Sequence, residues 1–333
     1  MAKRTKDTGG TLSLFPDDTA PGKAEYAEKN RGRLRAWSRR GILLGTSSWK
    51  YSGWKGQVYT RPYPSQRVFE KECLAEYATL FPTVCADFAL YDFPAPDTMA
   101  RITDQTPEDF KLALKVTDRI TIRRYPNIPR YGSSAGMNNP DFLNADLFEE
   151  AFLRPLDVLH GKRGTIIFEF SMFHPSSGVT TGSFVQLLDG FLAKLPKGYL
   201  YAVEVRNADF LTGEYLAMLR AHGVAHVINS WTRMPPVIQQ IQVAGVLTAG
   251  YSVIRALLKP GRTYEEAVQS FTPYDRIREE NPELREGIVE AIRRCVADGR
   301  TLYAYFNNRA EGNSPKTIEA ILDVLDRYPE EKL

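Results

Sequence analysis

Histidine, cysteine and long apolar runs are scarce in this sequence, and each scarcity narrows the classes of protein to consider. Three cysteines, Cys73, Cys85 and Cys295, stand far apart in 333 residues, without the paired spacing of a zinc or redox motif. We interpret them as reduced, buried thiols, which favours a cytoplasmic protein. No run of about 18 apolar residues indicates a membrane span. The first residues also have no apolar segment typical of an export signal.

The histidine count bears on metal binding. Only four histidines occur, and one of them, His174, follows a predicted strand on the side where barrel enzymes place their active sites. Zinc sites need His, Cys, Asp or Glu ligands that converge from several segments, so the ligand count argues against zinc. Magnesium bound by Asp, Glu or Asn needs few protein ligands and stays open. The sequence therefore argues against zinc, leaves magnesium open and identifies no cofactor.

Positive charge is concentrated at the beginning of the chain. Residues 1–40 hold ten Lys and Arg against five Asp and Glu, whereas the remaining residues hold 33 against 35. Residues 1–36 mix Gly, Pro, Thr, Lys and Arg without sustained periodicity, which predicts a flexible basic arm.

From Gly41 onward, short β-branched or aromatic runs alternate with helical patterns. The runs are ILLGT, TVCADF, FKLALKV, GTIIFEF, LYAVEV, VAHVIN, YSVIRALL and TLYAYF. Eight strand–helix units predict an α/β fold, a single (β/α)8 TIM-type barrel over residues 41–328, with an insertion at about 118–145. A doubly wound open sheet is the alternative. It would be favoured by a Gly-rich phosphate loop after an early strand, and GTSSWKYSGW contains neither G-x-G-x-x-G nor G-K-[ST].

Charged residues interrupt strand-like runs that are otherwise mostly apolar. These residues are Lys115, Glu169, Glu204 and Arg255. Burying an unpaired charge is costly, so we expect them to meet at the barrel mouth, together with Arg206. Two carboxylates and three cations would leave one positive charge to hold an anionic substrate. We predict Glu204, Lys115 and Glu169 as catalytic residues, with Glu204 as acid/base. A structural ion-pair network is the alternative.

Aromatic and amide side chains gather at the same strand ends. Aromatic faces suit stacking on a sugar or base, and amides suit recognition of hydroxyl groups. For each aromatic residue taken alone, packing in the core or in a lid is the alternative. With Arg206 and Arg255, the predicted ligand-binding residues are Trp49, Tyr51, Trp54, Tyr91, Asn307 and Asn308.

Taken together, these motifs resemble the YecE-like family, known as domain of unknown function 72, over roughly residues 41–325. The similar segments are GTSSWKYSGWKGQVY, the TV…Y..P segment of the second strand and loop, TPEDFKLALKV, VEVRN and YAYFNN. The resemblance implies a TIM-type barrel and brings no established reaction. The chain also departs from the family pattern. Cys85 and Asp87 replace a carboxylate and an amide, Glu169 stands where Gln is usual, and Arg309 stands where His is expected.

Two functions follow as hypotheses. The first is a cytoplasmic enzyme of hydrolase or isomerase type that binds an anionic or polyhydroxylated, sugar-like ligand at the C-terminal rim. The second is a non-catalytic nucleic-acid-associated factor tethered through its arm. Lys/Arg tails bind phosphate backbones without sequence preference. The arm also contains TLSLF (Thr11, Leu12, Ser13, Leu14, Phe15), which resembles the Q-L-S-L-F motif that binds the bacterial sliding clamp.

Overall fold

Eight parallel strands form a closed barrel in the computed structural model, which describes residues 25–87 and 92–328. Neighbours along the chain are neighbours in the sheet, and β1 closes the barrel on β8 with Ile42 opposite Leu302. The predicted (β/α)8 TIM-type barrel is therefore confirmed. The strands are Ile42–Thr46 (β1), Thr83–Ala86 (β2), Lys111–Lys115 (β3), Arg163–Phe170 (β4), Leu200–Val205 (β5), Ala225–Asn229 (β6), Tyr251–Ala256 (β7) and Thr301–Phe306 (β8).

Helices surround the strands, and their sequences show why they form there. In the longest of the described helices, Pro282–Ala297, the side chain of Asn281 accepts a hydrogen bond from the Leu284 amide and caps the first turn. Its buried residues Leu284, Ile288 and Ile292 recur at helical spacing and face the barrel. The helices are Glu25–Arg39 (α1), Gln66–Tyr77 (α2), Pro96–Gln105 (α3), Asp118–Thr121 (α4), Ala145–Leu147 (α5, continued by a π-helix Phe148–Leu153 and a 3-10 helix Arg154–Lys162), Thr181–Leu192 (α6), Gly213–His222 (α7), Val237–Gln242 (α8), Tyr264–Phe271 (α9), Pro282–Ala297 (α10) and Ser314–Leu325 (α11).

The barrel interior is filled by side chains of alternating size. Tyr303 and Tyr305 enter from β8 opposite small residues such as Ala113 and Ala202, and the Tyr305 hydroxyl lies 3.2 Å from Thr165 Oγ1. Because strand side chains alternate between faces, this cluster fixes which residues point inward. Its remaining members include Leu43, Cys85, Ile167, Val227 and Val253.

Helix α1 corrects the predicted boundary of the arm. The flexible segment was expected to reach residue 36, but residues 25–39 form a helix against the outside of the barrel. Tyr26, Leu34 and Trp37 are buried, and the Tyr26 hydroxyl donates a hydrogen bond of 2.7 Å to the Pro315 carbonyl. The few apolar residues lie among many charged ones, which hides the helical pattern in the sequence. Residues 1–24, including the TLSLF segment, lie outside the described residues.

The predicted insertion at about 118–145 connects β3 to α5. It begins with α4. An isolated antiparallel β-bridge between Arg124 and Asn138 joins two of its segments. The Arg124 Nε group donates a hydrogen bond of 2.9 Å to the Gly136 carbonyl across the same bridge. This position places the insertion over the C-terminal face of the barrel.

None of the described helices combines the length and the apolar character that crossing a bilayer requires.

Candidate functional site

Polar residues form a ring at the C-terminal mouth of the barrel, which we call the polar ring. Each member lies two residues beyond an inward-facing residue of the interior cluster, except Ser47, which lies four beyond Leu43, so alternation points each of them toward the barrel axis. The register supports this placement, since Glu169 pairs with Glu204 and Asn229 pairs with Arg255. The ring consists of Ser47, Asp87, Lys115, Glu169, Glu204, Asn229, Arg255 and Asn307.

Glu169 lies at the centre of an ion-pair network within this ring. Its Oε1 atom is 2.8 Å from Arg206 Nη2, and its Oε2 atom is 3.2 Å from Lys115 Nζ and 2.7 Å from Arg255 Nη1. Glu204 is fully buried and binds Arg255 together with Arg206, whose Nε lies 3.3 Å from Glu204 Oε1. The five charged residues that the sequence predicts to meet at the barrel mouth are therefore in contact with one another: Lys115, Glu169, Glu204, Arg206 and Arg255.

Asp87 joins the network and changes its charge. Its Oδ1 atom lies 3.4 Å from Lys115 Nζ. Three carboxylates then face three cations, so the predicted excess of one positive charge is not found. The predicted charge of the mouth left out Asp87, which follows the last residue of β2 as Arg206 follows the last residue of β5.

The pKa values of the network describe residues that stay ionised. Burial alone raises the pKa of the Glu169 carboxyl, but Arg206, Lys115 and Arg255 outweigh burial and hold this pKa well below its usual range. Burial alone lowers the pKa of Lys115, but Glu169 and Asp87 raise it overall. An ionised Glu169 cannot donate a proton at neutral pH, and a protonated Lys115 cannot accept one.

This geometry limits the roles of the predicted catalytic residues. Both oxygens of Glu204 are occupied by guanidinium groups and its side chain is fully buried, so no surface remains for a substrate. For these carboxylates and Lys115, the arrangement supports the alternative of a structural network, which orients Arg206 and Arg255. Arg206 is additionally stacked on Trp231, with its guanidinium carbon 3.6 Å from the ring centroid.

The opening aromatic loop after β1 is packed rather than open. Trp54 is fully buried between Tyr51 and Tyr59, and its Nε1 donates a hydrogen bond of 3.3 Å to Asn308 Oδ1. Trp49 is 6% exposed, which leaves little of its face for a ligand. The prediction that Trp54 stacks on a ligand is thus wrong, because this side chain is part of the core. Tyr51 keeps a half-exposed edge at the mouth.

The two predicted amides have different positions. Asn308 is buried at 1% exposure and its Oδ1 also accepts from the Ser314 amide at 2.8 Å, so it fixes the loop after β8. Asn307 belongs to the polar ring, and its Oδ1 accepts from the Arg309 amide at 3.0 Å. Tyr91, the remaining predicted ligand-binding residue, lies outside the described residues.

A cleft of about 690 Å³ opens beside the ring, between the insertion and the loops after β4, β5 and β6. Arg123, Arg124 and Arg206 line it, and none of its described lining residues is Asp or Glu. Aromatic residues from three segments complete the walls, namely Tyr125, Phe173 and Trp231, beside the exposed imidazole of His174. We call this site the arginine cleft.

Sequence reasoning found Arg206 and His174 but not the rest of the arginine cleft. Arg123 and Arg124 lie in an irregular segment, and no periodicity tells where such a segment returns over the barrel. One signal was available, since adjacent arginines follow the third strand and loops after strands build the reactive face of this fold. For metals, no group of three or more His, Cys, Asp or Glu is arranged to hold an ion within the described residues.

Comparisons with known proteins agree with the fold. A family model described as protein of unknown function DUF72 matches residues 43–332. A solved DUF72 family protein from Enterococcus faecalis V583 is 18% identical, with a TM-score of 0.60 over 87% of this chain and 97% of that one. Another from Thermotoga maritima MSB8 is also 18% identical, with a TM-score of 0.58 over 86% and 99%. No curated protein matches the chain.

Proposed function

This chain belongs to the DUF72 family, whose function is unknown, and we propose that it binds a small anionic ligand in the arginine cleft. The observation that carries the proposal is the composition of the cleft walls, which include three arginines and no described acidic residue. Guanidinium groups bind phosphate and carboxylate oxygens with two parallel hydrogen bonds. A phosphate monoester or carboxylate is therefore the ligand class that fits.

Arg206 is the anchor of the proposed site because its guanidinium is already oriented. Glu169, Glu204 and the face of Trp231 hold it on several sides. Binding an anion then costs little side-chain ordering, which is the usual advantage of a preorganised site. Arg123 and Arg124 line the cleft from the insertion and are exposed, so they add positive charge to its walls.

An enzymatic role of hydrolase or isomerase type remains part of the proposal, with a changed assignment of the acid/base group. TIM-barrel enzymes place their chemistry at this face. Glu204 is enclosed by arginines, whereas His174 is exposed and lines the arginine cleft. An imidazole can donate or accept a proton, which suits acid/base catalysis on a bound anion. A screen of phosphate monoesters should therefore show turnover that His174→Gln abolishes while ligand binding is retained.

The binding proposal is tested by titration calorimetry with inorganic phosphate at low ionic strength. We expect the Arg123→Ala/Arg124→Ala variant to weaken phosphate binding about tenfold or more, since charge-assisted hydrogen bonds contribute about 1.5–3 kcal/mol each. Arg67→Ala/Arg101→Ala, which removes two exposed arginines on α2 and α3 and so makes the same charge change, is the matched control. Equal affinities in all three proteins would exclude the arginine cleft as the anion site.

A basic stripe on α1 favours the second candidate function, association with nucleic acid. Arg31, Arg35 and Arg39 recur every four residues and so share one helix face, spaced about 6 Å along the axis. None of the three has an ion pair with another described residue. Arg35 and Arg39 are exposed. Such a row suits contacts with consecutive phosphates of a nucleic acid.

This second candidate predicts salt-dependent binding of a random-sequence DNA duplex, measured by fluorescence anisotropy at several salt concentrations. Arg35→Glu/Arg39→Glu should weaken binding at least tenfold and reduce the salt slope by about 2. Arg67→Glu/Arg101→Glu provides the same charge change elsewhere. Deleting residues 1–24 separates the arm from the stripe, because a longer deletion would remove part of α1. Unchanged affinity in the α1 variant rejects the stripe.

A further inference from the structure

The polar ring is satisfied on one side and unsatisfied on the other. From β3 to β5, the carboxylates of Glu169 and Glu204 are bound by Lys115, Arg206 and Arg255. From β7 through β1 to β2, Arg255 Nε and Ser47 Oγ have no hydrogen-bond partner among the described residues, and Asp87 Oδ1 has only its ion pair with Lys115 Nζ at 3.4 Å. We call this sector the open arc. Buried polar atoms in folded proteins nearly always have a partner, so the open arc requires an explanation.

The side chains of the open arc all point to the inner side of the barrel wall. Thr46 points outward, since its Oγ1 lies 2.8 Å from the Tyr77 hydroxyl of α2, so the adjacent Ser47 points toward the barrel axis. Asp87 and Arg255 face the axis by the same alternation. Ser47 is 1% exposed and Arg255 is 2% exposed, whereas the Asp87 side chain is 39% exposed. The open arc is thus buried at Ser47 and Arg255 and partly exposed at Asp87.

The chemistry of the open arc selects a hydroxyl-rich partner. Arg255 Nε can only donate a hydrogen bond, Asp87 Oδ1 can only accept one while ionised, and Ser47 Oγ can do both. A simple anion would satisfy the donors but would face the Asp87 carboxylate. An alcohol hydroxyl donates and accepts, so neighbouring hydroxyls satisfy the donor and the acceptor together.

We infer that the open arc is a subsite for vicinal hydroxyl groups, so that the anion of the arginine cleft is a sugar phosphate. This inference rests on the proposed function, because the arginine cleft supplies the phosphate end. Two side chains, Glu169 and Lys115, lie between Arg206 of the arginine cleft and Asp87 of the open arc. Arg206 binds Glu169, Glu169 binds Lys115, and Lys115 binds Asp87. A monosaccharide phosphate is the class of ligand that places an anion and several hydroxyls across such a distance.

The test compares two probes by titration calorimetry with the full chain: inorganic phosphate and D-ribose 5-phosphate. We expect ribose 5-phosphate to bind about tenfold tighter, as one or two additional hydrogen bonds would give. Ser47→Ala should remove most of this advantage and leave the affinity for inorganic phosphate unchanged. Ser252→Ala is the matched control, because Ser252 is also buried, at 3% exposure, but lies on the outward-facing side of β7.

Each outcome separates this inference from the proposed function. If phosphate binds and ribose 5-phosphate binds no tighter, the open arc is not a hydroxyl subsite, and the arginine cleft stands. An advantage that survives in Ser47→Ala would also overturn the inference. Binding of ribose 5-phosphate without binding of phosphate, lost in Ser47→Ala, supports the open arc and rejects the cleft as the anchor. Failure of both probes to bind overturns both.

Discussion

Replacing Arg255 with methionine removes one of the two guanidinium groups that bind both Glu169 and Glu204. Methionine has an unbranched apolar side chain and fills much of the same space, so the main change is electrostatic. Glu204 would keep Arg206 as its partner, and three carboxylates would face two cations. Because Glu204 is fully buried and Glu169 is 8% exposed, water cannot compensate for the lost charge.

The magnitude follows from the burial of these groups. Removing one partner from a buried ion pair typically costs about 3–5 kcal/mol. For a chain of 333 residues, an unfolding entropy of about 2.1 cal/mol/K per residue converts each kcal/mol into roughly 1.5 °C. We therefore expect Arg255→Met to lower the melting temperature, measured by circular dichroism, by about 4–8 °C.

Two further variants make the experiment decisive. Arg255→Met/Glu204→Gln removes one charge of each sign, so it should melt at a higher temperature than Arg255→Met alone. Arg67→Met changes an exposed arginine and should stay within about 0.5 kcal/mol of the original chain. A fall of less than 2 °C for Arg255→Met would refute the buried network. So would a double variant that is as unstable as the sum of its single changes.

Further predictions concern stability and pH, each measured by thermal unfolding. Gly45→Ala should destabilise by about 3 kcal/mol, because its Cβ would lie 2.0 Å from the Thr83 carbonyl oxygen. A Cβ added at Gly190 in α6 would meet open space. Gly190→Ala should therefore stabilise the fold by about 0.5–1 kcal/mol. Trp54→Ala should cost about 3–5 kcal/mol as a core residue, and a loss of ligand binding without a loss of stability would contradict this. The depressed pKa of Glu169 stabilises the fold above its unfolded pKa of about 4.3, and this contribution disappears as pH falls through the folded pKa. Glu169→Gln should therefore flatten the decline in melting temperature below about pH 5.

The fold could be predicted from sequence because its signal repeats. Eight runs of strand character, each followed by a helical pattern, leave few architectures that accommodate them. Helix α1 escaped prediction for the opposite reason. Its buried residues Tyr26, Leu34 and Trp37 are sparse among charged neighbours, so its stability comes from contacts with the barrel and α11, such as the bond from Tyr26 to Pro315. Contacts of that range leave no local pattern.

The sequence predicts which charged residues form the candidate site but not which of them form ion pairs with one another. Strand alternation places Lys115, Glu169, Glu204 and Arg255 at the mouth, as expected. Which of them neutralise one another depends on distances of a few tenths of a nanometre, which no spacing in the sequence encodes. The aromatic loop shows the same limit. Its sequence suits a ligand-stacking surface, but Trp54 within it is a buried core residue. The arginine cleft depends on where an irregular insertion lies, which only the fold determines.

The ion-pair network and the proposed binding site are connected through one side chain. Arg206 belongs to the network through Glu169 and Glu204, and to the arginine cleft through its exposed edge. A guanidinium held by two carboxylates loses less freedom when an anion binds than a mobile arginine does. Carboxylates that are too enclosed to act on a substrate can therefore still serve binding, because they fix the orientation of the group that contacts it. If the proposed site binds its anion, the buried charges of this mouth are structural and functional through the same contacts.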